Sequence, residues 1–198
     1  TFCCSPEVSG LRWKAMPAER MLDDVLGLKE RWGFDVLRFY DANYGVAEKR
    51  VRAFAEGLVA RGERLWQYAY MQSPSVCRFD DATVEAMAAS GMYTVLLGGE
   101  TGTDETMATV KKTTRGDENL EAAQRLAAVG MRTQLTYIVG FPGESEASMM
   151  ATIDQVRRVH VACELAIPEV WPFRPIPGTP LFAEAVAQGY EPPCTLLE

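Results

Sequence analysis

Few residues in this chain are of a type and spacing that could do chemistry. Cysteines stand at positions 3, 4, 77, 163 and 194, and thiolates can hold a soft metal or an iron-sulfur cluster. Their odd number and their spacing match neither a disulfide scaffold nor a zinc site, so reduced thiols are expected. Taken one at a time they read as ordinary small packing residues. His160 is the only histidine and falls near the end of a predicted helix, whereas a hydrolase triad or a histidine-rich metal site needs histidine in a cleft loop. The remaining candidates are four polar or glycine-rich segments, 41–45, 98–102, 140–144 and 174–180. Within them stand Asp41, Asn43, Glu100 and the run Gly140, Phe141, Pro142, Gly143, Glu144, and Lys112 follows the second segment. Each has a structural alternative: Glu100 as a cap near Thr101, Lys112 as a solvated cation at a helix end, and the Gly-Pro segments as turns.

The elements that must position these residues repeat as amphipathic helix, glycine stop and short apolar strand. Residues 17–32 predict a helix with Pro17 at an early position and Gly33 as its stop, followed by a strand over 34–40. Over 46–61, Val51, Phe54, Ala55, Leu58 and Val59 form one apolar helical stripe that stops at Gly62, and 65–70 is the next strand. Asp80 and Asp81 are N-cap candidates for a helix that stops at Gly91, before strand 93–97. Helix 117–129 leads to strand 133–139, helix 145–159 to strand 165–171, and a last helix spans 180–188. Five apolar strands with intervening helices predict a parallel sheet in an α/β fold, either a barrel or a doubly wound sheet. In both, ligands lie at the carboxyl ends of the strands, where the four polar segments fall.

Bulk properties narrow the field. A length of 198 residues, 47% hydrophobic and 24% charged, suits one domain with a sizeable core. The apolar runs 93–98 and 161–170 are too short or too interrupted to cross a bilayer, so no membrane partner is expected. A net charge of -7 disfavours a nucleic-acid surface, which needs clustered Lys and Arg, and points to a small-molecule or peptide substrate. The sequence shows no secretory pattern, and a cytoplasmic location is expected.

The chain resembles the radical S-adenosylmethionine (radical SAM) superfamily, in the branch whose members often carry an upstream cobalamin-binding domain. Thr1, Phe2 and Cys3 are similar to the tail of the family's CxxxCxxC motif, whose first two cysteines would precede residue 1. Trp13, Lys14 and Asp24, within 11–28, resemble the aromatic, basic and acidic positions after the cluster loop. Asp41 and Asn43 resemble the polar pair that ends the second family strand and hydrogen-bonds the methionyl part of the nucleotide. Glu100 resembles the acidic residue that ends the fourth and contacts the ligand's amine or ribose, and Lys112 the lysine that follows it. Residues 138–144 resemble the fifth-strand motif against which adenine packs, so Gly140, Phe141 and Pro142 join the nucleotide site, with turn backbone groups facing the purine edge. Residues 175–180 resemble the final-strand segment. Met71 and Gln72 stand where many members carry an arginine, and Gly98-Gly99-Glu100 is distinct from the Gly-Gly-Glu that some members carry after strand two.

This resemblance implies a partial TIM-type (β/α)6 barrel over residues 1–198, showing family strands two to six, with a cobalamin domain expected upstream. It implies that Cys3 is one of three thiolates on a [4Fe-4S] cluster whose open iron chelates S-adenosylmethionine. It further implies reductive cleavage to a 5'-deoxyadenosyl radical for substrate modification, with electrons from a reductant such as flavodoxin or ferredoxin. Cobalamin-dependent methyl transfer follows if the upstream domain is present, and the fragment alone is expected to be inactive. No side chain is assigned as catalytic. The alternatives are a methylthiotransferase, a barrel that has lost its cluster and serves as a binding scaffold, and an isomerase or lyase cradling phosphate with 98–102.

Overall fold

The computed structural model describes residues 2–4 and 13–195, so Thr1, the start of the 11–28 stretch and residues 196–198 lie outside the described residues. The chain opens with α1 (Ala18–Trp32), whose Leu22 and Val25 are buried and whose stop is Gly33 at φ 67°, its amide donating to the Lys29 carbonyl. The edge strand β1 (Val36–Arg38) follows. In α2 (Glu48–Ala60) the stripe Val51, Phe54, Ala55 and Leu58 is buried, as its periodicity requires. Then come β2 (Trp66–Met71), α3 (Ser73–Arg78), α4 (Asp81–Ala89) and β3 (Met92–Glu100). The rest comprises α5 (Asp104–Thr109), α6 (Gly116–Ala128), β4 (Arg132–Val139), α7 (Glu146–Ala162), β5 (Ala166–Pro172) and α8 (Pro180–Ala187).

All four strand pairings are parallel and the strands lie in chain order, β1-β2-β3-β4-β5. Every crossover therefore steps the sheet in the same direction. A doubly wound sheet reverses its strand order at a switch point, and this one does not. The order settles the choice that periodicity leaves open, in favour of a partial barrel.

The two faces of the sheet differ. Gln67, Ala69 and Met71 of β2, Val95 and Leu97 of β3, and Thr133, Leu135 and Tyr137 of β4 are buried beneath the helices. They join Phe54, Leu58, Met87 and Leu126 in the main core, where each large apolar side chain contributes about 1.5–3 kcal/mol. The alternate residues, Tyr68, Tyr70, Gln134, Thr136 and Glu169, lie on the other face and keep partial access to solvent.

Two short elements escape the periodicity reading, α3 and α5, each of six residues. In α3, Pro74 sits in the first turn, Ser73, Ser75 and Val76 are buried, and the end is fixed from outside by Arg125. The Arg125 guanidinium donates to the carbonyls of Val76, Cys77 and Phe79 at 2.7, 2.8 and 2.6 Å, and to Asp81 at 2.6 Å. These are orphan carbonyls at a helix end, satisfied by one side chain of α6. Cys77 is half-buried there, and its burial pushes the thiol up to about 11, in keeping with a packing role. Asp80 does stand at the N-cap of α4, but without a side-chain cap; its own amide donates to Glu48 at 2.7 Å. Arg125→Met, which keeps the aliphatic stem and removes the donors, is expected to cost about 2 kcal/mol, read as a lower denaturation midpoint at unchanged slope.

Candidate functional site

Three of the four polar segments lie where β3, β4 and β5 end. Strand β3 runs through Gly98 and Gly99 to Glu100, and both glycines are there because a side chain has taken the space beside them. A Cβ on Gly99 would lie 2.8 Å from the Tyr137 ring, and one on Gly98 would lie 2.6 Å from Oε1 of Glu100. The Glu100 carboxylate is thus folded back over Gly98. Glu100 itself has φ 56°, as does Lys111, and these are the non-glycine residues with positive φ among the described residues. Such a conformation costs roughly 1 kcal/mol or more per residue and marks places that the surrounding structure over-determines.

The segment between these two residues is pinned. The Gly102 amide donates to Thr152 Oγ1 at 2.9 Å, and the Thr101 and Thr152 hydroxyls lie 3.1 Å apart. Thr103 caps α5 by accepting from the Thr106 amide, and the Lys112 amide donates back to Met107 at 3.0 Å. Lys112 is thereby carried to Glu100, Nζ to Oε1 at 2.8 Å, with both side chains largely shielded from water. Lys112 is thus paired, and the residue that caps the following helix is Thr103. The loop is also no phosphate cradle, because Gly98 and Gly99 are strand residues and the Gly102 amide is already used.

Phe2 ties the start of the described chain to this pair. Its ring lies 5.5 Å from Lys112 Nζ and 5.5 Å from Phe141, which is 5.2 Å from Phe173. Val110, Phe141 and Leu181 form a small buried cluster with Phe2, Ile138 and Phe173 packed against it. Cys3, adjacent to Phe2, therefore stands at the same rim as Glu100 and Lys112.

The turn after β4 is organised by Glu144. Its Oε2 accepts from the amides of Gly140 and Phe141 at 2.7 and 3.1 Å, with Gly140 at φ 82°. Its Oε1 accepts from Ser148 at 2.9 Å. Having spent its proton there, the Ser148 hydroxyl accepts from Thr103 and Thr106, at 3.0 and 2.8 Å. A crevice of about 100 Å3 lies between α5 and this turn, lined in part by Thr106, Phe141, Pro142 and Glu144. Glu144 takes the Gly140 and Phe141 amides, so of the turn's backbone groups expected at a purine edge these two are already used; Phe141 is buried beneath the turn and Pro142 is half-buried.

Asp41 and Asn43 sit past the end of β1, each with a local partner. Asp41 accepts from Arg50 at 3.1 Å, and Asn43 Oδ1 accepts from the Gly45 amide at 3.0 Å. One carboxylate oxygen and the amide nitrogen are left for a ligand. Trp13 is exposed, and Asp24 pairs with Arg20 at 3.7 Å on the outer face of α1. His160 is exposed near the end of α7. Sequence reasoning missed Phe173, the carboxylate role of Glu144 and the hydroxyls of Thr103, Thr106, Ser148 and Thr152; the only signal for them was the proximity of Glu144 and Ser148 in one predicted helix start. Among the described residues no three metal-ligating side chains cluster.

Comparison with known proteins bears on this geometry. A family profile described as Radical SAM superfamily matches residues 1–156. An uncharacterised methyltransferase of Pyrococcus horikoshii is 25% identical over 186 residues, covering 94% of this chain and 39% of that protein. A tRNA-2-methylthio-N(6)-dimethylallyladenosine synthase of Frankia alni is 30% identical, covering 91% of this chain and 37% of that protein. The structure of the radical S-adenosylmethionine methyltransferase TsrM from Kitasatospora setae, with cobalamin and a [4Fe-4S] cluster bound, superposes with TM-score 0.79 at 18% identity, over 94% of this chain and 37% of that one. This chain thus spans under two-fifths of each.

The two glycines that border the site should respond differently to alanine. A Cβ at Gly98 meets only the movable end of Glu100, whereas one at Gly102 would lie 2.6 Å from the Thr152 backbone. Gly98→Ala is expected to leave stability within about 0.5 kcal/mol while displacing the carboxylate, and Gly102→Ala to cost about 2 kcal/mol or more, both read from denaturation midpoints.

Proposed function

Because the chain belongs to the radical S-adenosylmethionine superfamily, we propose that its protein binds a [4Fe-4S] cluster through Cys3 and S-adenosylmethionine beside Glu100, and methylates a substrate with the help of cobalamin. The observation that carries this reading is the convergence of Phe2–Cys3, the Glu100–Lys112 pair and the Phe141–Pro142 turn at one rim of the sheet. When bound, the cluster and S-adenosylmethionine supply the reductive cleavage of a sulfonium, with electrons from a flavodoxin or ferredoxin.

The residues of this chain bind and orient. Glu100 accepts from the ammonium or the ribose hydroxyls of the nucleotide through the oxygen that Lys112 leaves open, and Lys112 holds that carboxylate in place. A carboxylate with a single ionic partner retains acceptor capacity, which a salt bridge on both oxygens would remove. Pro142, half-buried, offers an apolar surface to adenine on a turn that the buried Phe141 anchors and Glu144 holds in place. Asp41 and Asn43 reach the methionyl part from the neighbouring strand end. Phe2 shields the pair from water and fixes the backbone that carries Cys3.

Methyl transfer is favoured over other outcomes by the names of the relatives, a methyltransferase by sequence and a cobalamin-bound methyltransferase by fold. Methylthiolation is the second reading, supported by the synthase at 30% identity. Against it stands the net charge of -7, which offers little to a tRNA backbone. The test uses the full protein reconstituted without oxygen. Reduced protein is expected to release 5'-deoxyadenosine or S-adenosylhomocysteine from S-adenosylmethionine, and Cys3→Ala to lose both the cluster's electron paramagnetic resonance signal and that release. A Cys3→Ala protein with undiminished iron and turnover would sink the assignment.

A further inference from the structure

The sheet face that no helix of the described residues covers carries a set of groups that the nucleotide reading does not use. At its β1 edge the Arg38 guanidinium lies 4.8, 4.7 and 5.6 Å from the ring centroids of Tyr40, Tyr68 and Tyr70, and it donates to the Tyr70 hydroxyl. Register explains the grouping: Arg38 pairs with Tyr68 across β1 and β2, and residues at the same level of parallel strands share a face. Tyr68 is fixed in turn. Its hydroxyl donates to Gln134 Oε1 at 3.1 Å, Gln134 Nε2 donates to Glu169 Oε1 at 2.9 Å, and Trp171 Nε1 donates to Glu169 Oε2 at 3.3 Å.

An exposed arginine is ordinarily a mobile, hydrated cation, and ordering its side chain costs up to about 2 kcal/mol. Here three rings hold the guanidinium, and among the described residues no carboxylate pairs with it. Asp41, three residues along from Arg38, is taken by Arg50, and Glu169 connects to this cluster only through Gln134 and Tyr68. Most of the guanidinium's five donors remain to be taken in a protein whose net charge is -7. Beside them the Tyr40 ring is 77% exposed, which leaves a flat apolar surface next to a fixed cation.

We infer that this face recognises the substrate: Arg38 receives a carboxylate or phosphonate group, and the Tyr40 ring receives the flat conjugated portion attached to it. The relay Tyr68–Gln134–Glu169 positions the cation. The word substrate rests on the function proposed above, but the site itself does not. The guanidinium fork matches either oxyanion with two parallel hydrogen bonds, and the aromatic wall excludes water from one side of that contact.

Three probes of one size separate the options: phenylphosphonate, phenylacetate and benzylamine, titrated calorimetrically into the full protein. At least one of the two anions is expected to bind about 10-fold or more tightly than benzylamine, and the tighter of the two tells phosphonate from carboxylate. Arg38→Met is expected to remove that preference, Arg38→Lys to keep part of it, and Gln134→Leu, which releases Tyr68, to weaken it less than Arg38→Met. Anions that bind no better than benzylamine, or an anion preference that survives Arg38→Met, would overturn the inference. Reductive cleavage of S-adenosylmethionine by the unsubstituted protein is measured on the same preparation. Its absence would remove the proposed function while the titration still decides whether Arg38 forms an anion site.

Discussion

Parallel strands that follow one another in a sheet must each be joined by a crossover over its face, and this requirement shapes everything else in the molecule. With the strands in chain order, the described helices that join one strand to the next pack on one face and the strand carboxyl ends come to one rim. The core then forms between sheet and helices, from Phe54, Leu58, Val95, Leu97, Leu126 and Leu135. The rim collects loops, and among the described residues the opposite face of the sheet carries tyrosines, an arginine and a glutamate instead of a helix.

At the rim, local strain is held in place by contacts from several elements. Glu100 and Lys111 adopt left-handed backbone at the two ends of a segment whose middle is tied to α7 through Thr152. A largely buried ion pair is weak evidence for stability, since desolvating two charges offsets most of their attraction. Its worth here is positional: it fixes one oxygen of Glu100 and leaves the other. Glu144 organises the turn after β4, and through Ser148 it also reaches Thr103 and Thr106 of α5. The Glu100 loop and the Phe141 turn therefore share a common support, with Phe2 bridging them from the start of the chain.

The sequence made the long elements legible because their patterns are strong. The stripe of α2, the glycine stops at Gly33 and Gly62, and the strands over 65–70 and 133–139 lie within one or two residues of their expected places. The edge strand is shorter than its apolar pattern suggests, since β1 pairs only with β2. Helices α3 and α5 were illegible because six residues hold too little periodicity, and their ends are fixed by Arg125 and Thr103 instead. The end of β3 was misplaced for a different reason: 98–102 reads as a glycine-rich segment after a strand that stops at 97, but the glycines make room for Glu100 and Tyr137 within the strand. At the site, the residue types of Glu100, Lys112 and Phe141 could be named from the sequence. Their meeting, and the use of the Gly140 and Phe141 amides by Glu144, depended on side-chain contacts that no linear pattern encodes.

The claim on which the account turns is that Glu100 and Lys112 act as one unit that binds S-adenosylmethionine. The direct measurement is a double-mutant cycle on its dissociation constant, by calorimetry on the anaerobically reconstituted full protein, with Glu100→Gln, Lys112→Met and both together. Coupled action requires that each single change weaken binding and that the double change fall short of their sum, with a coupling of about 1 kcal/mol or more. Additive effects, or unchanged affinity in Glu100→Gln, would contradict it and place the nucleotide elsewhere on the rim.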